Sequence, residues 1–433
     1  MQRPEPPAEI GTIGTRKHFA KDVLTLLTGT VAAQALMMAA LPVLTRAYSA
    51  EQFGYFGAYS AAVGILAIFI NARIDLAVVA ARADAVAATL AAVSILCALS
   101  LGIALTTLTA LIVWGWALYF HLDPLYWIAT IPAAASAVAI FNTYCAWHNR
   151  KSRFRMIAGR RFVQSLLMVT LQSAFVWLIP LGTGLMFGSC LAYVATAIFW
   201  SVHTWKKDRA EFILVSMNEF WIEFRSIRSF SSKAITVDVI SQALYQLPLL
   251  FFGYMYSAQT MGYYTLTQRI LGTPANLVGG AVAEVFRQRA TQAYAVRGNC
   301  RAVFSDTLRL LTLIVCLSAP VLLWVLPDIF AALFGQAWRE AGRYSQILLP
   351  VFALKFVSHP LSYVILLRGK LAIEIRLHVL MLVTLMVSMS ACALFSVPVT
   401  GMLVCYATIY AVGYLTYIYL SFRLSLGEIV DAV

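Results

Sequence analysis

The sequence predicts an all-α polytopic membrane protein, with about twelve transmembrane helices in two six-helix lobes related as a parallel repeat. Three observations carry that expectation. The chain is 61% hydrophobic and only 12% charged, against roughly 25% charged residues in soluble domains. Apolar runs of about 20 residues, the length that crosses a hydrocarbon core as a helix, recur from position 22 to position 421. Two stretches also nearly repeat each other, "AYSAEQFGYFGAYSA" from 47 and "MYSAQTMGYYTLTQR" from 255. Laying 33–56 on 241–264 without a gap matches Gln34/Gln242, Ala35/Ala243, Leu36/Leu244, Leu41/Leu249, Tyr48/Tyr256, Ser49/Ser257, Ala50/Ala258, Gly54/Gly262 and Tyr55/Tyr263. Polar and glycine positions are among the matches, which shared greasiness alone does not produce. A repeat of this kind sets the architecture.

The predicted spans run over about 22–45, 54–80, 87–116, 124–147, 162–179, 184–205, 234–255, 262–285, 303–325, 344–367, 376–396 and 399–421. Six precede residue 206 and six follow residue 233. With an even number per half, both halves enter the membrane in the same direction, so the repeat axis lies along the membrane normal. The organisation expected is a cytoplasmic tail at 1–21, a first lobe at 22–205, a cytoplasmic amphipathic linker at 206–233, a second lobe at 234–421 and a cytoplasmic tail at 422–433. In the linker, Met217, Phe220, Phe224 and Ile227 recur at helical spacing with Arg225 and Arg228 elsewhere on the wheel, the pattern of a helix lying on the membrane surface. An ordinary basic loop is the other reading. The first apolar run is read as part of the fold rather than a signal peptide, because its end is copied at the start of the second half.

The net charge is +13. The basic residues sit between apolar runs, in "HNRKSRFRMIAGRR", "KKDRAEF" and "RQRATQAYAVRGNCR", while "YFHLDP", "PLGTG" and "SVPVT" carry no Lys or Arg. The positive-inside rule explains this distribution and places both termini in the cytoplasm. "QAWREAGR" at 336–343 is the exception, an outer connection with two arginines. Nucleic acid is excluded as a partner, since no soluble domain is left to bind it. The seven cysteines form no CxxC pair and the six histidines are scattered, so no metal and no cofactor is expected. A phosphate-binding GxxxxGK[ST] loop is absent, as are GxSxG and HExxH. The chain is not expected to be an enzyme.

Ionisable residues inside spans are costly, about 2.5–3.5 kcal/mol each at mid-bilayer, and persist where they line water or meet a partner. Arg269 falls seven residues past Gly262, about 10 Å into its helix, in the outer half where the positive-inside rule would not put it. Lys355 falls near the middle of its span, with His359 and Ser362 on the same face. Arg73 and Asp75 sit near an inner end, where Arg73 either lines a cavity or snorkels to the surface. Two residues apart on a helix, these two point in different directions and are not expected to pair. Glu284 sits at similar depth, and Arg46 marks the outer end of the first span. Gln34, Asn71, Gln242, Gln246 and Gln268 add uncharged polarity. The cations Arg46, Arg73, Arg269 and Lys355 outnumber Asp75 and Glu284, so the interior reads as modestly positive and suits a phosphate or pyrophosphate. Pro42, Pro248, Pro274 and Pro360 lie within spans, where they either permit rocking or reflect the higher frequency of proline in membrane helices.

The opening "LLTGTVAAQALMMAALPVLTRAYSAEQFGYFGAYSA" with "RIDLAVV", and in the second half "LLPVFALKFVSHPLSYVILLRGK", resemble the Wzx-type oligosaccharide flippases of the multidrug/oligosaccharidyl-lipid/polysaccharide exporter superfamily. The resemblance implies two six-helix lobes in a V, alternating access, and transfer of a polyprenyl-diphosphate-linked oligosaccharide (an O-antigen, capsule or exopolysaccharide repeat unit) across the bacterial cytoplasmic membrane. It implies an anionic head group bound by Arg46, Arg73, Arg269 and Lys355. Asp75 and Glu284 are then ion-coupling groups or charge partners of the arginines. Gln34, Asn71, Gln242, Gln246, Gln268 and His359 are the expected polar lining. The lipid-linked oligosaccharide, membrane lipids, a polysaccharide polymerase and other assembly proteins are the expected partners. Two alternatives remain: a drug/cation antiporter of the same superfamily, which needs an acidic cavity, and a membrane polysaccharide polymerase, which favours a large outer loop.

Overall fold

The computed structural model describes residues 13–81, 83–120, 126–178, 182–213 and 217–427. In the first half, α1 spans Ile13–Ala47, α2 Ala50–Asn71, α3 Ile74–Ala80, α4 Asp84–Phe120, α5 Ile131–Arg150, α6 Phe154–Leu178 and α7 Gly184–Ile213. In the second, α8 spans Met217–Met255, α9 Ala258–Arg297, α10 Arg301–Phe334, α11 Arg339–Leu361, α12 Tyr363–Leu367, α13 Leu371–Leu394 and α14 Val399–Ser425. Short 3-10 turns precede α5 and α11, and no strand occurs among the described residues. Ten segments are long and apolar enough to cross a membrane. The 39-residue α8 and 40-residue α9 are also long enough to cross, and α9 is the more polar of the two. The lipid-facing surface is apolar, with Trp177, Trp324, Leu317 and Leu394 all exposed.

The repeated sequence does the same work in both halves. Ser49 caps α2 and accepts from the Gln52 N–H, and Ser257 caps α9 and accepts from the Thr260 N–H. The preceding tyrosines each donate to a backbone carbonyl within their own half, Tyr48 to Gln172 and Tyr256 to Val397, both at 2.7 Å. The matched glycines let α2 and α9 cross in contact. A Cβ on Gly54 would lie 2.0 Å from the Ala258 oxygen, and one on Gly262 would lie 1.7 Å from the Ala50 oxygen. Trp338 seals this end: its Nε1 donates to the Thr45 carbonyl at 3.0 Å, and its ring packs edge-on against Phe53 and Tyr263.

Three departures from the sequence expectations have local causes. The second span is not one helix, because Ala72 and Arg73 adopt positive φ (48° and 57°) and separate α2 from α3. The α1 helix begins at Ile13, inside the expected N-terminal tail. The linker continues α7 to Ile213 and then runs from Met217 straight into α8. Most side chains of its expected amphipathic face, including Met217, Phe220, Phe224 and Ile227, lie outside the described residues, as do residues 1–12 and 428–433 of the tails.

The basic stretch 148–161 is only partly a surface loop. Arg153 bonds both Asp208 oxygens (2.9 and 2.6 Å), and Asp208 also accepts from the Trp147 indole at 2.9 Å. Arg160 and His148 are fully buried. Arg160 bonds His148 and Thr204 and lies over the Trp200 and Tyr144 rings. Arg150 and Lys151 both bind Asp84, each at 2.8 Å, which ties the end of α5 to the start of α4.

Candidate head-group and cavity site between the halves

Helices α2 and α5 of the first half face α8 of the second across a cavity of about 360 Å3. Its polar walls come from Asn71, Arg73, Asn142, Asp238, Ser241 and Gln242. The break after Asn71 sets this up. The Ala72 N–H turns back to the Ile68 and Phe69 carbonyls, the helix ends, and Arg73 leaves in the left-handed region. Its guanidinium then reaches Asp238 on α8 through Nε, and Nη1 lies 3.5 Å from Asp75. The expectation that Arg73 and Asp75 do not pair fails for this reason: it assumed an unbroken helix, and the backbone is broken between them. Arg73 is half-buried rather than at the surface. Asn71 is buried and accepts from Ser94, which also bonds Thr143.

Arg269 and Lys355 lie further along the seam. The Arg269 guanidinium sits 4.6 Å from the centroid of the Phe56 ring, contributed by the first half. The Lys355 ammonium sits 5.4 Å from the centroid of Tyr245. The Tyr193 and Tyr245 hydroxyls lie within electrostatic reach of Arg269. Tyr245 is three residues past Gln242 on α8, about 4.5 Å along the axis, whereas Phe56 is eight residues before Gly64 on α2, about 12 Å, so Lys355 lies near the cavity and Arg269 further along the seam. Gln268 braces the arrangement, donating to the Tyr264 hydroxyl at 2.9 Å and to the Tyr245 carbonyl at 3.4 Å. Among the described residues neither Arg269 nor Lys355 has a carboxylate within ion-pair distance. Aromatic faces alone compensate a desolvated cation only in part, by about 2 kcal/mol.

The other expected site residues are dispersed. Arg46 is exposed in the last turn of α1, and Gln34 is exposed earlier on that helix. Glu284 is half-exposed and pairs with Arg287 at 3.7 Å, within its own helix. His359 is exposed near the end of α11, and Gln246 is half-buried one turn past Gln242. The arginines of "QAWREAGR" are held in ion pairs, Arg339 with Asp328 at 2.7 Å and Arg343 with Glu340 at 2.9 Å. Sequence reasoning missed Asp238. Its signal was a carboxylate inside the run "AITVDVISQALYQ", four residues before Gln242 and hence on the same helix face. Asn142 was missed as well; a lone asparagine near one end of an apolar run gave no signal.

The fold and site define a multi-pass, all-helical membrane protein with a polar cavity between its halves. Three solved structures share the architecture. The lipid II flippase MurJ in an inward closed conformation matches at TM-score 0.69 and 10% identity, over 94% of this chain and 90% of that one. An inward-facing multidrug resistance MATE family transporter of the MOP superfamily matches at TM-score 0.65 and 14% identity, over 94% and 96%. A MOP superfamily transporter from Pyrococcus furiosus, described as having a binding pocket of reverse polarity, matches at TM-score 0.60 and 12% identity, over 94% and 96%. The comparison with curated proteins finds no match. The family model described as "Polysaccharide biosynthesis protein" matches residues 43–343, more than half of the chain, and the protein belongs to that family.

Proposed function

We propose that the protein flips a polyprenyl-diphosphate-linked oligosaccharide from the inner to the outer leaflet of the cytoplasmic membrane by alternating access. One observation carries this reading. Arg269 and Lys355 are cations without carboxylate partners among the described residues, set over Phe56 and Tyr245 along the seam from a cavity whose lining carboxylate, Asp238, is already bound to Arg73. A free positive pair suits a diphosphate. A drug/cation antiporter calls instead for an available carboxylate. In this reading the diphosphate enters from the inner leaflet and meets Arg269 and Lys355, while the polyprenyl tail stays in lipid. The lobes at 22–205 and 234–421 rock about the linker at 206–233, and both termini are cytoplasmic. The end sealed by Gly54, Gly262 and Trp338 faces outward and opens for release. An ion gradient or the membrane potential drives the cycle; the potential supplies about 2.3 kcal/mol per charge per 100 mV. Asp75, coupled to Arg73, is the stronger candidate for ion coupling, since Glu284 pairs locally on its own helix.

The test is Arg269→Ala and Lys355→Ala in cells that export the glycan. Full-length lipid-linked units accumulating in the inner leaflet are expected. Single unpolymerised units on the outer side would instead indicate a polymerase, and intact export with new drug sensitivity would indicate an antiporter.

A further inference from the structure

The geometry points to the cavity walled by Asn142 and Gln242 as a saccharide subsite, separate from the diphosphate site, that takes a neutral, hydroxyl-rich sugar ring. The inference rests on the flippase reading above. The cavity, about 360 Å3, is at the small end of the range for ligand pockets, about 300–1,000 Å3, which is room for a short saccharide and not a long chain. Two carboxamides line it, Asn142 from α5 and Gln242 from α8, and neither makes a hydrogen bond among the described residues. A carboxamide both donates and accepts, so it matches the paired donor and acceptor character of vicinal hydroxyls. The Asp238 carboxylate supplies further acceptor capacity for hydroxyl protons.

Charge separates the two subsites. In the cavity wall, Arg73 carries one positive charge and Asp238 one negative, and the two are paired, so the lining is formally neutral. A neutral lining exerts no net pull on phosphate or an acidic sugar, while Arg269 and Lys355 draw the diphosphate further along the seam. The two carboxamides belong to opposite halves, so a sugar bonded to both is held only while the halves are close. Recognition of the sugar is thereby tied to the position of the lobes.

The test uses full-length protein in lipid nanodiscs and two probes: polyprenyl diphosphate without sugar, and the same lipid diphosphate bearing a neutral saccharide. Asn142→Ala and Gln242→Ala are each expected to weaken the sugar-bearing lipid by up to about tenfold, the worth of one or two neutral hydrogen bonds. Both variants should bind the sugar-free lipid like the wild type, which also shows that they are folded. Equal weakening of both lipids, or of neither, overturns the subsite. Arg269→Ala probes the head-group reading separately, because it should weaken both lipids alike. If Arg269→Ala changes neither while the carboxamide variants still discriminate, the diphosphate assignment fails and the saccharide subsite stands.

Discussion

Adding one methyl group where α2 and α9 cross should shift the protein toward the state in which that end is open. A Cβ on Gly262 would lie 1.7 Å from the Ala50 oxygen, and a Cβ on Gly54 would lie 2.0 Å from the Ala258 oxygen. Both obstacles are helix backbone, so no side-chain rotation relieves them. The helices must part by at least about 1 Å, and packed interiors resist such shifts. Overpacking of this kind costs about 1–3 kcal/mol. If the contact exists only in the closed state, the whole cost falls on that state, and the open population rises by about 5- to 150-fold. The assay is labelling of a cysteine placed near Ser49 with a membrane-impermeant thiol reagent, in a background with the native cysteines replaced. Gly54→Ala and Gly262→Ala should each raise the labelling rate. The double variant should gain much less than the sum, because one separation of the helices relieves both clashes. Unchanged labelling in both single variants, or full additivity in the double, would refute the idea that this crossing is a state-dependent seal.

Two further outcomes are expected. Ser49→Ala and Ser257→Ala should each lower stability by about 1 kcal/mol through loss of an N-cap. Ser49→Ala should cost more, because Gln52 returns the bond to the Ser49 N–H in a reciprocal capping box; thermal unfolding in detergent gives the order. Asp208→Asn, at a carboxylate only 4% exposed that binds both Arg153 and the Trp147 indole, should cost about 1.5–3 kcal/mol, the range for a hydrogen bond to a charged group, because Arg153 keeps partial access to water. A shift in unfolding midpoint no larger than that of an exposed control would count against it.

The duplicated segment was legible because the same residue types recur at the same spacing in both halves. A tyrosine tether, a serine cap and a glycine contact each need one residue type at one spacing, and all three survive at matched positions in both halves. Arg269 and Lys355 stood out in the sequence for a different reason: a cation in an apolar run is costly enough to need a cause. The pairing of Arg73 was not legible. It depends on two left-handed residues, Ala72 and Arg73, neither of which is a glycine or asparagine that would announce a helix break. Arg160 was misread for a related reason. In a chain of Lys and Arg between two spans, the composition favours a wetted loop, yet His148 and Thr204 lie 12 and 44 residues away in sequence and meet it inside the bundle. Partners that distant leave no periodic trace.

The crossing of α2 and α9 has an evolutionary consequence. Gly54 rests on the carbonyl of Ala258, and Gly262 rests on the carbonyl of Ala50, so each half supplies the notch and the ridge that the other requires. A surface that fits its own copy about a two-fold axis is what a symmetric dimer needs. A shorter ancestral polypeptide containing one such half would already have been able to join a second molecule of itself by this contact, before gene duplication placed both in a single chain.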